Sequence, residues 1–200
     1  MKSSPQVDAE QRSLLEIRNF QGTYPRQIWF LFMIEMWERF CFYGMRGMLM
    51  VFMVSPVGSG GLGLGDGEAN LQYGSIQSFV YAFTFLGGLV ADRFLGFRKS
   101  LFWGSVLMCI GGILMGMNPV QNFYLGICFN IIGSGFFKPN ISTIVGQLYH
   151  ENDSRRDAGF SLFYAGINIG AFLGGSIMIL VARNYGWSQA FYLVAVSMLI

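Results

Sequence analysis

The sequence has little charge and little cysteine. Only 12% of its 200 residues are Asp, Glu, Lys or Arg, about half the share in a typical globular protein. The net charge of +2 gives no support for a nucleic-acid partner. Three cysteines in apolar surroundings are too few for a disulfide framework. Because the sequence also shows no metal-ligand cluster and no nucleophile–base pair, we expect no cofactor and no enzymatic activity.

Apolar and aromatic residues make up 53% of the chain. They form runs of 17 to 29 residues separated by short polar breaks, a pattern that a bilayer requires and a water-soluble core does not. The fold class predicted is therefore all-α, a polytopic membrane protein. We predict spans at 28–54, 71–91, 101–117, 121–149 and 158–182, with a sixth beginning near residue 189. The third span looks short, so we expect it to begin a few residues earlier.

Basic residues in the breaks predict the orientation. Residues 1–27 carry four Lys or Arg, the break at 92–100 carries three, and the break at 150–157 carries two. The breaks on the opposite side carry only Arg183. Because cytoplasmic loops are enriched in Lys and Arg, we predict a cytoplasmic N-terminal arm over 1–27. Residues 28–200 are then an N-terminal transmembrane bundle in the plasma membrane, the inner membrane of a bacterium.

The sixth apolar run is still open at Ile200. Half a helix in lipid leaves backbone groups unpaired, at a high free-energy cost. We therefore expect the sequence to be the front part of a longer chain.

Four ionisable side chains interrupt the first predicted span: Glu35, Glu38, Arg39 and Arg46. Each would cost at least about 2.5 kcal/mol against lipid. At about 100° per residue all four lie within an arc of about 140°, so one side of this helix should face a hydrated or ion-paired interior. One interpretation is a structural salt bridge between helices. The other is proton transfer, because burial disfavours a charged Glu while a neighbouring Arg favours it.

The fourth predicted span contains a further cation. Lys138 lies in its apolar middle and is followed by Pro139, which removes a backbone hydrogen bond. Lys138 either extends towards a membrane interface or stays buried. If it stays buried, it needs an anionic partner, which is Glu35, Glu38, a substrate, or a carboxylate outside this sequence.

Four segments resemble those of the proton-dependent oligopeptide transporter (POT) family of the major facilitator superfamily. Glu35-x-x-Glu38-Arg39-Phe40-x-x-Tyr43-Gly44 resembles its first-helix signature, and Gly135–Asn140 is similar to its fourth-helix lysine segment. Phe163–Gly170 resembles its fifth-helix signature, and Gly88–Lys99 the cytoplasmic loop motif of the superfamily. The resemblance runs from about residue 28 to the end of the chain.

The resemblance implies the N-terminal six-helix bundle of a transporter that carries di- and tripeptides into the cytoplasm together with protons, by alternating access. It implies that Glu35, Glu38 and Arg39 couple transport to protons. Arg46 and Lys138, with Arg39, would hold the peptide carboxylate, while Tyr43, Tyr81 and Asn168 would contact the peptide backbone. Asp92 and Arg93 would form a cytoplasmic latch. The partners implied are peptide, protons, the lipid bilayer and a C-terminal half of the transporter.

Some alternatives remain open at this point. The family commonly has Tyr-Tyr-Gly where this chain has Phe42-Tyr43-Gly44, which bears on peptide preference. A second hypothesis is that the cargo is another anion such as nitrate, although Tyr43, Tyr81 and Asn168 favour peptides. A different class is a half-sized scaffold or channel subunit that assembles in pairs. Asp92 and Arg93 would alternatively serve only the positive-inside rule.

Overall fold

The computed structural model describes residues 15–199. The first 14 residues of the predicted arm, and Ile200, lie outside this part. Residues 15–199 contain no β-strand and six longer helices, which we name in chain order. They are α1 (Arg26–Val54), α2 (Asp66–Val90), α3 (Phe97–Met117), α4 (Phe123–Gln147), α5 (Arg155–Tyr185) and α6 (Trp187–Ser197).

The six helices lie where the apolar runs predicted them. The third begins at Phe97, four residues before the predicted 101, as its short length indicated. The second begins at Asp66, ahead of the predicted 71. The acidic side chains of Asp66 and Glu68 suit the first turn of a helix, where the backbone N–H groups are unpaired. Helix α6 has 11 residues, about half of what a bilayer span needs. The described residues therefore contain five long helices and one of 11 residues.

Within residues 15–199, three helical segments are long and apolar enough to cross a membrane by length and composition: Asp66–Leu95, Phe97–Met117 and Arg155–Tyr185. Helix α1 is longer than α3, but its charged residues interrupt the apolar run. Ionisable groups at that depth are tolerated where they face the protein interior. The composition of α1 therefore indicates a helix whose charged side faces the protein interior and not lipid.

A single π-helical turn, Ala91–Leu95, follows α2. It ends where the Gly96 amide donates to the Ala91 carbonyl at 2.8 Å. Gly96 has φ +76°, a conformation that residues with a Cβ rarely adopt. This turn reverses the chain into α3 and leaves Asp92 and Arg93 exposed. The sequence pattern did not predict it.

The helices pack in pairs, α1 on α5, α3 on α4, and α2 on α4, while α6 packs on α3. Glycines permit the close approach of α5 to α1. A Cβ at Gly170 would collide with the Met36 carbonyl and the Arg39 side chain, and one at Gly174 with the Phe40 carbonyl. These glycines of α5 thus permit the short distance between the two helices.

Two apolar clusters surround α1 at different levels. One contains Met48 and Phe52, and the Phe52 ring meets Phe191 edge to face at 5.3 Å. The other contains Ile28, Leu31 and residues of α4. The two carboxylates of α1 lie between these clusters along the helix, so they are held in a largely apolar surrounding.

Candidate functional site

An ion cluster lies in the middle of α1. The Nε atom of Arg39 is 2.7 Å from Oε1 of Glu35 and 2.7 Å from Oε2 of Glu38. Glu35 is 2% exposed and Glu38 is fully buried, whereas Arg39 is half-buried. One guanidinium therefore serves two buried carboxylates. The sequence predicted this grouping, and the opposite side of α1, with Phe40 and Cys41, is buried against other helices.

Each carboxylate of this cluster keeps an oxygen free. Oε2 of Glu35 and both oxygens of Glu38 are buried and have no hydrogen-bond partner within residues 15–199, although Glu38 Oε2 is in ion-pair contact with Arg39. Buried polar atoms in proteins are normally paired, and an unpaired one is a candidate for chemistry. Two negative charges facing one cation also leave the cluster with an excess negative charge. A proton on either free oxygen would remove that excess.

Lys138 reaches the same region from α4. Its Nζ atom lies 3.1 Å from the centroid of the Phe42 ring, and the guanidinium carbon of Arg39 lies 5.5 Å from that centroid. Within the part of the chain that the structure describes, no carboxylate lies within 4.0 Å of Lys138. Among the described residues, the group that contacts the Lys138 ammonium is therefore an aromatic face and not Glu35 or Glu38.

Arg46 lies two helical turns further along α1. Its Nε atom donates to the Tyr73 hydroxyl of α2 at 3.0 Å, and the Arg46 side chain is exposed. It faces the same side of α1 as the ion cluster but belongs to a separate contact. Tyr43 is half-buried beside Phe42, with the two rings 5.2 Å apart and edge to face. The guanidinium of Arg46 and the hydroxyl of Tyr43 are hydrogen-bond donors on the same helix as the ion cluster. Such donors suit an incoming anion.

The two remaining predicted binding residues are exposed. Tyr81 of α2 is 67% exposed. Asn168 of α5 is exposed and its Nδ2 donates to the Tyr164 carbonyl of its own helix at 2.9 Å. Gly170, two residues further along α5, contacts α1 beside Arg39, but residues two apart on a helix do not share a face. No contact joins Tyr81 or Asn168 to the ion cluster among the described residues.

The predicted latch residues lie at the far end of α2. Asp92 and Arg93 are exposed in the π-helical turn, and neither forms an ion pair within residues 15–199. Their exposure is compatible with both interpretations of this turn, a latch and a set of charges that orients the protein.

A further ion pair lies outside the predicted spans. Arg155 Nη2 is 2.7 Å from Asp153 Oδ2, and the hydrogen bonds from Arg155 lower the pKa of Asp153 to about 2. Arg155 Nη1 also donates to the carbonyls of Phe20 and Gly22 at 3.1 and 2.8 Å. Its guanidinium carbon lies 4.1 Å from the Phe20 ring centroid. The described end of the predicted arm is therefore attached to the start of α5.

Two contributors to the site were not predicted from the sequence. Tyr73 contacts Arg46 from another helix, and no local pattern relates residues on different helices. Phe42 stands where the family commonly has a tyrosine, and the sequence indicated only the loss of that hydroxyl, whereas the structure places the Phe42 ring against Lys138. Helical spacing gave a signal for Phe42, because it lies on the charged side of α1 near Glu35.

The chain is similar in sequence to a known protein family and to individual members of it. The sequence model of the POT family matches residues 98–200. The peptide transporter YePEPT of Yersinia enterocolitica is 39% identical over 186 residues, covering 92% of this chain and 36% of that protein. A di-/tripeptide transporter of Lactococcus lactis is 36% identical over 178 residues, covering 88% of this chain and 36% of that protein.

The fold is also found among solved structures. A POT family transporter, crystallised in complex with a thioalcohol-conjugated peptide, is 38% identical. It superimposes with a TM-score of 0.84 over 91% of this chain and 37% of its own. The long apolar helices and the buried charges of α1 define the class, a helical membrane protein. This chain belongs to the POT family, as its motifs predicted, and it spans little more than a third of the length of the relatives it matches.

Proposed function

We propose that the intact protein carries di- and tripeptides into the cytoplasm together with protons. The observation that supports this most directly is Arg39, held 2.7 Å from two buried carboxylates. Such a cluster suits a change of protonation better than a purely structural role, because a structural pair needs one carboxylate and not two. The peptide transporters among its relatives supply the substrate class.

The proton step of this proposal takes place at Glu35, Glu38 and Arg39. A proton from outside binds the free oxygen of Glu35 or Glu38, which reduces the negative charge that faces Arg39. Arg39 then becomes available to a substrate carboxylate, which it is able to bind with two parallel hydrogen bonds. Loss of the proton to the cytoplasm restores the salt bridges and displaces the substrate.

The peptide would be held at both its carboxylate and its backbone. Arg39, Arg46 and Lys138 are the cations that we assign to the carboxylate, because they are the Arg and Lys residues within the predicted spans. Tyr43, Tyr81 and Asn168 supply the hydroxyl and amide groups that we assign to the backbone. The exposure of Tyr81 and Asn168 supports this assignment, since a binding group has to be accessible.

The proposal also includes the placement of the chain in the membrane and its contact with a C-terminal half of the transporter. We propose that residues 28–200 form the N-terminal bundle and residues 1–27 a cytoplasmic arm in a plasma membrane, the inner membrane of a bacterium. Asp92 and Arg93 would then engage the C-terminal half as a cytoplasmic latch. The partners are peptide, protons, lipid and that C-terminal half. We assign no cofactor and no enzymatic reaction.

The test is uptake of labelled dialanine by the intact protein in proteoliposomes. An inward-directed pH gradient should drive accumulation of dialanine above its external concentration, and dissipating the gradient should stop it. Nitrate should not compete with dialanine. Accumulation that ignores the gradient would contradict proton coupling, and transport of nitrate without dialanine would contradict the peptide assignment. The whole proposal would be contradicted if the protein assembled in pairs as a scaffold or channel and transported neither dialanine nor nitrate.

A further inference from the structure

We infer that Tyr73 of α2 is a positioning residue for Arg46. The Tyr73 hydroxyl oxygen holds the Nε–H group of Arg46 and thereby directs the terminal NH2 groups of the guanidinium towards a substrate carboxylate. The inference deepens the proposed function and rests on it for the substrate. Tyr73 lies outside the four segments that resemble the POT family, and the contact that it makes is independent of any transport.

The contact between Arg46 and Tyr73 is direct. Nε of Arg46 donates to the Tyr73 hydroxyl oxygen at 3.0 Å, and the two residues lie 27 positions apart, on different helices. The hydroxyl groups close enough to interact electrostatically with Arg46 are those of Tyr73, Tyr81 and Tyr43. The proposed function assigns Tyr43 and Tyr81 to the peptide backbone. Arg46 is therefore held from α2 beside groups that we expect to contact the substrate.

The hydrogen bond at Nε limits how a carboxylate is able to approach Arg46. A guanidinium carries five N–H groups in one plane, one on Nε and the other four on the terminal nitrogens. A carboxylate binds two parallel N–H groups, either from both terminal nitrogens or from Nε and one terminal nitrogen. Because Nε of Arg46 donates to Tyr73, the second arrangement is occupied. Arg46 therefore meets a carboxylate with its two terminal nitrogens.

The group that holds Arg46 from α2 is also neutral. Arg39 meets two carboxylates through its Nε atom, at 2.7 Å from each, and these offset its charge. A tyrosine hydroxyl is uncharged at neutral pH. Tyr73 therefore fixes the orientation of the Arg46 guanidinium without offsetting its positive charge. Ordering a long side chain before the ligand arrives also lowers the entropy that binding would cost.

The test measures how strongly the intact protein in proteoliposomes prefers dialanine to its C-terminal amide, which has the same backbone and no carboxylate. Both ligands compete with labelled dialanine for uptake. In Tyr73→Phe the affinity for dialanine should fall about fivefold, whereas the affinity for the amide should not change. A preference that Tyr73→Phe leaves unaltered would overturn the inference.

The matched control is Tyr124→Phe. The Tyr124 hydroxyl of α4 donates to Oε1 of Gln72 on α2 at 2.9 Å. This variant therefore also removes one hydroxyl and one hydrogen bond between α2 and another helix, but not the contact with Arg46. Its preference for dialanine over the amide should equal that of the unaltered protein.

A second background identifies the cause. In Arg46→Ala, the further change Tyr73→Phe should no longer lower the affinity for dialanine, because Tyr73 acts through Arg46. A further loss there would mean that Tyr73 contacts the substrate itself and would overturn the inference. An equal loss for dialanine and its amide in Tyr73→Phe alone would overturn it as well, since Arg46 would then not be directed at the substrate carboxylate.

Failure of the inference and failure of the proposed function give different results. Gradient-driven accumulation of dialanine with an unaltered preference in Tyr73→Phe would refute the inference and leave the proposed function standing. No accumulation by the unaltered protein would contradict the proposed function. In that case the thermal unfolding temperature without substrate still tests the contact, which predicts coupling between Tyr73→Phe and Arg46→Ala. Additive effects of these two changes would refute the contact.

Discussion

Glu35 and Arg39 lie four residues apart on α1 and form a salt bridge of 2.7 Å, with Glu35 only 2% exposed. A pair at this spacing on a water-exposed helix contributes about 0.3–0.5 kcal/mol. In the protein interior the same pair holds two charges whose desolvation costs far more. Glu38 adds a second carboxylate to the same Nε atom. This local excess of carboxylate over cation favours the binding of a proton to the cluster.

Replacing Glu35 with Gln tests proton coupling. Glu35→Gln removes a group that gains and loses a proton but keeps its size and a hydrogen-bonding oxygen. We expect acid-driven accumulation of dialanine to fall to the level seen without a pH gradient, while exchange of dialanine across the membrane continues in part. Glu151→Gln, an exposed loop carboxylate, is the control and should accumulate normally. Concentrative uptake by Glu35→Gln would refute the coupling role.

The Arg46→Ala substitution tests the carboxylate site. Removing a charged donor costs about 1.5–3 kcal/mol, so the dialanine concentration for half-maximal uptake should rise at least about tenfold. The maximal rate should change less. Arg183→Ala removes an exposed cation from the end of α5 and is the matched control. If Arg46→Ala left the half-maximal concentration unchanged, Arg46 would have no part in binding.

Gly170→Ala tests whether close packing of α5 positions the ion cluster. The added Cβ would collide with the Met36 carbonyl and the Arg39 side chain, and overpacking of this kind costs about 1–3 kcal/mol. We expect a lower thermal unfolding temperature and weaker dialanine uptake. Gly175→Ala has open space around its added Cβ, so its unfolding temperature should not fall. Equal temperatures for both variants would contradict the packing argument.

The contact between Arg155 and the arm should be insensitive to the acid that drives transport. The carboxyl pKa of Asp153 is lowered from 3.8 to about 2. Its salt bridge therefore contributes fully above about pH 3.8 and is lost as the pH falls through about 2. Hydrogen exchange of residues 18–24 should have the same protection at pH 7 and pH 5, after correction for the intrinsic exchange rate.

The matching substitution is Arg155→Ala, which should raise exchange over residues 18–24 at both pH values. Arg156→Ala is the control, because the Arg156 guanidinium lies over the Phe160 ring and not over the arm. Unchanged protection in Arg155→Ala would mean that other contacts hold this segment.

Most of the fold was accessible from the sequence because the bilayer restricts it strongly. Apolar runs predicted where each helix lies, and a 100° step predicted that Glu35, Glu38 and Arg39 share one side of α1. Contacts between helices were not accessible in this way. Arg46 with Tyr73 and Lys138 with Phe42 join residues at least 27 positions apart, and only the packing of α2 and α4 against α1 brings them together. The π-helical turn at Ala91–Leu95 also depends on local hydrogen bonding that no periodicity reports.

Acid should add a proton to the Glu35–Glu38–Arg39 cluster, and transport coupled to protons depends on this step. Infrared difference spectroscopy of the intact protein in membranes measures this through the C=O stretching band of a protonated carboxylic acid. Acidification should produce such a band, and Glu35→Gln or Glu38→Gln should remove it while Glu151→Gln leaves it unchanged. A spectrum in which the acid-induced carboxyl band persists unaltered in both Glu35→Gln and Glu38→Gln would contradict the claim.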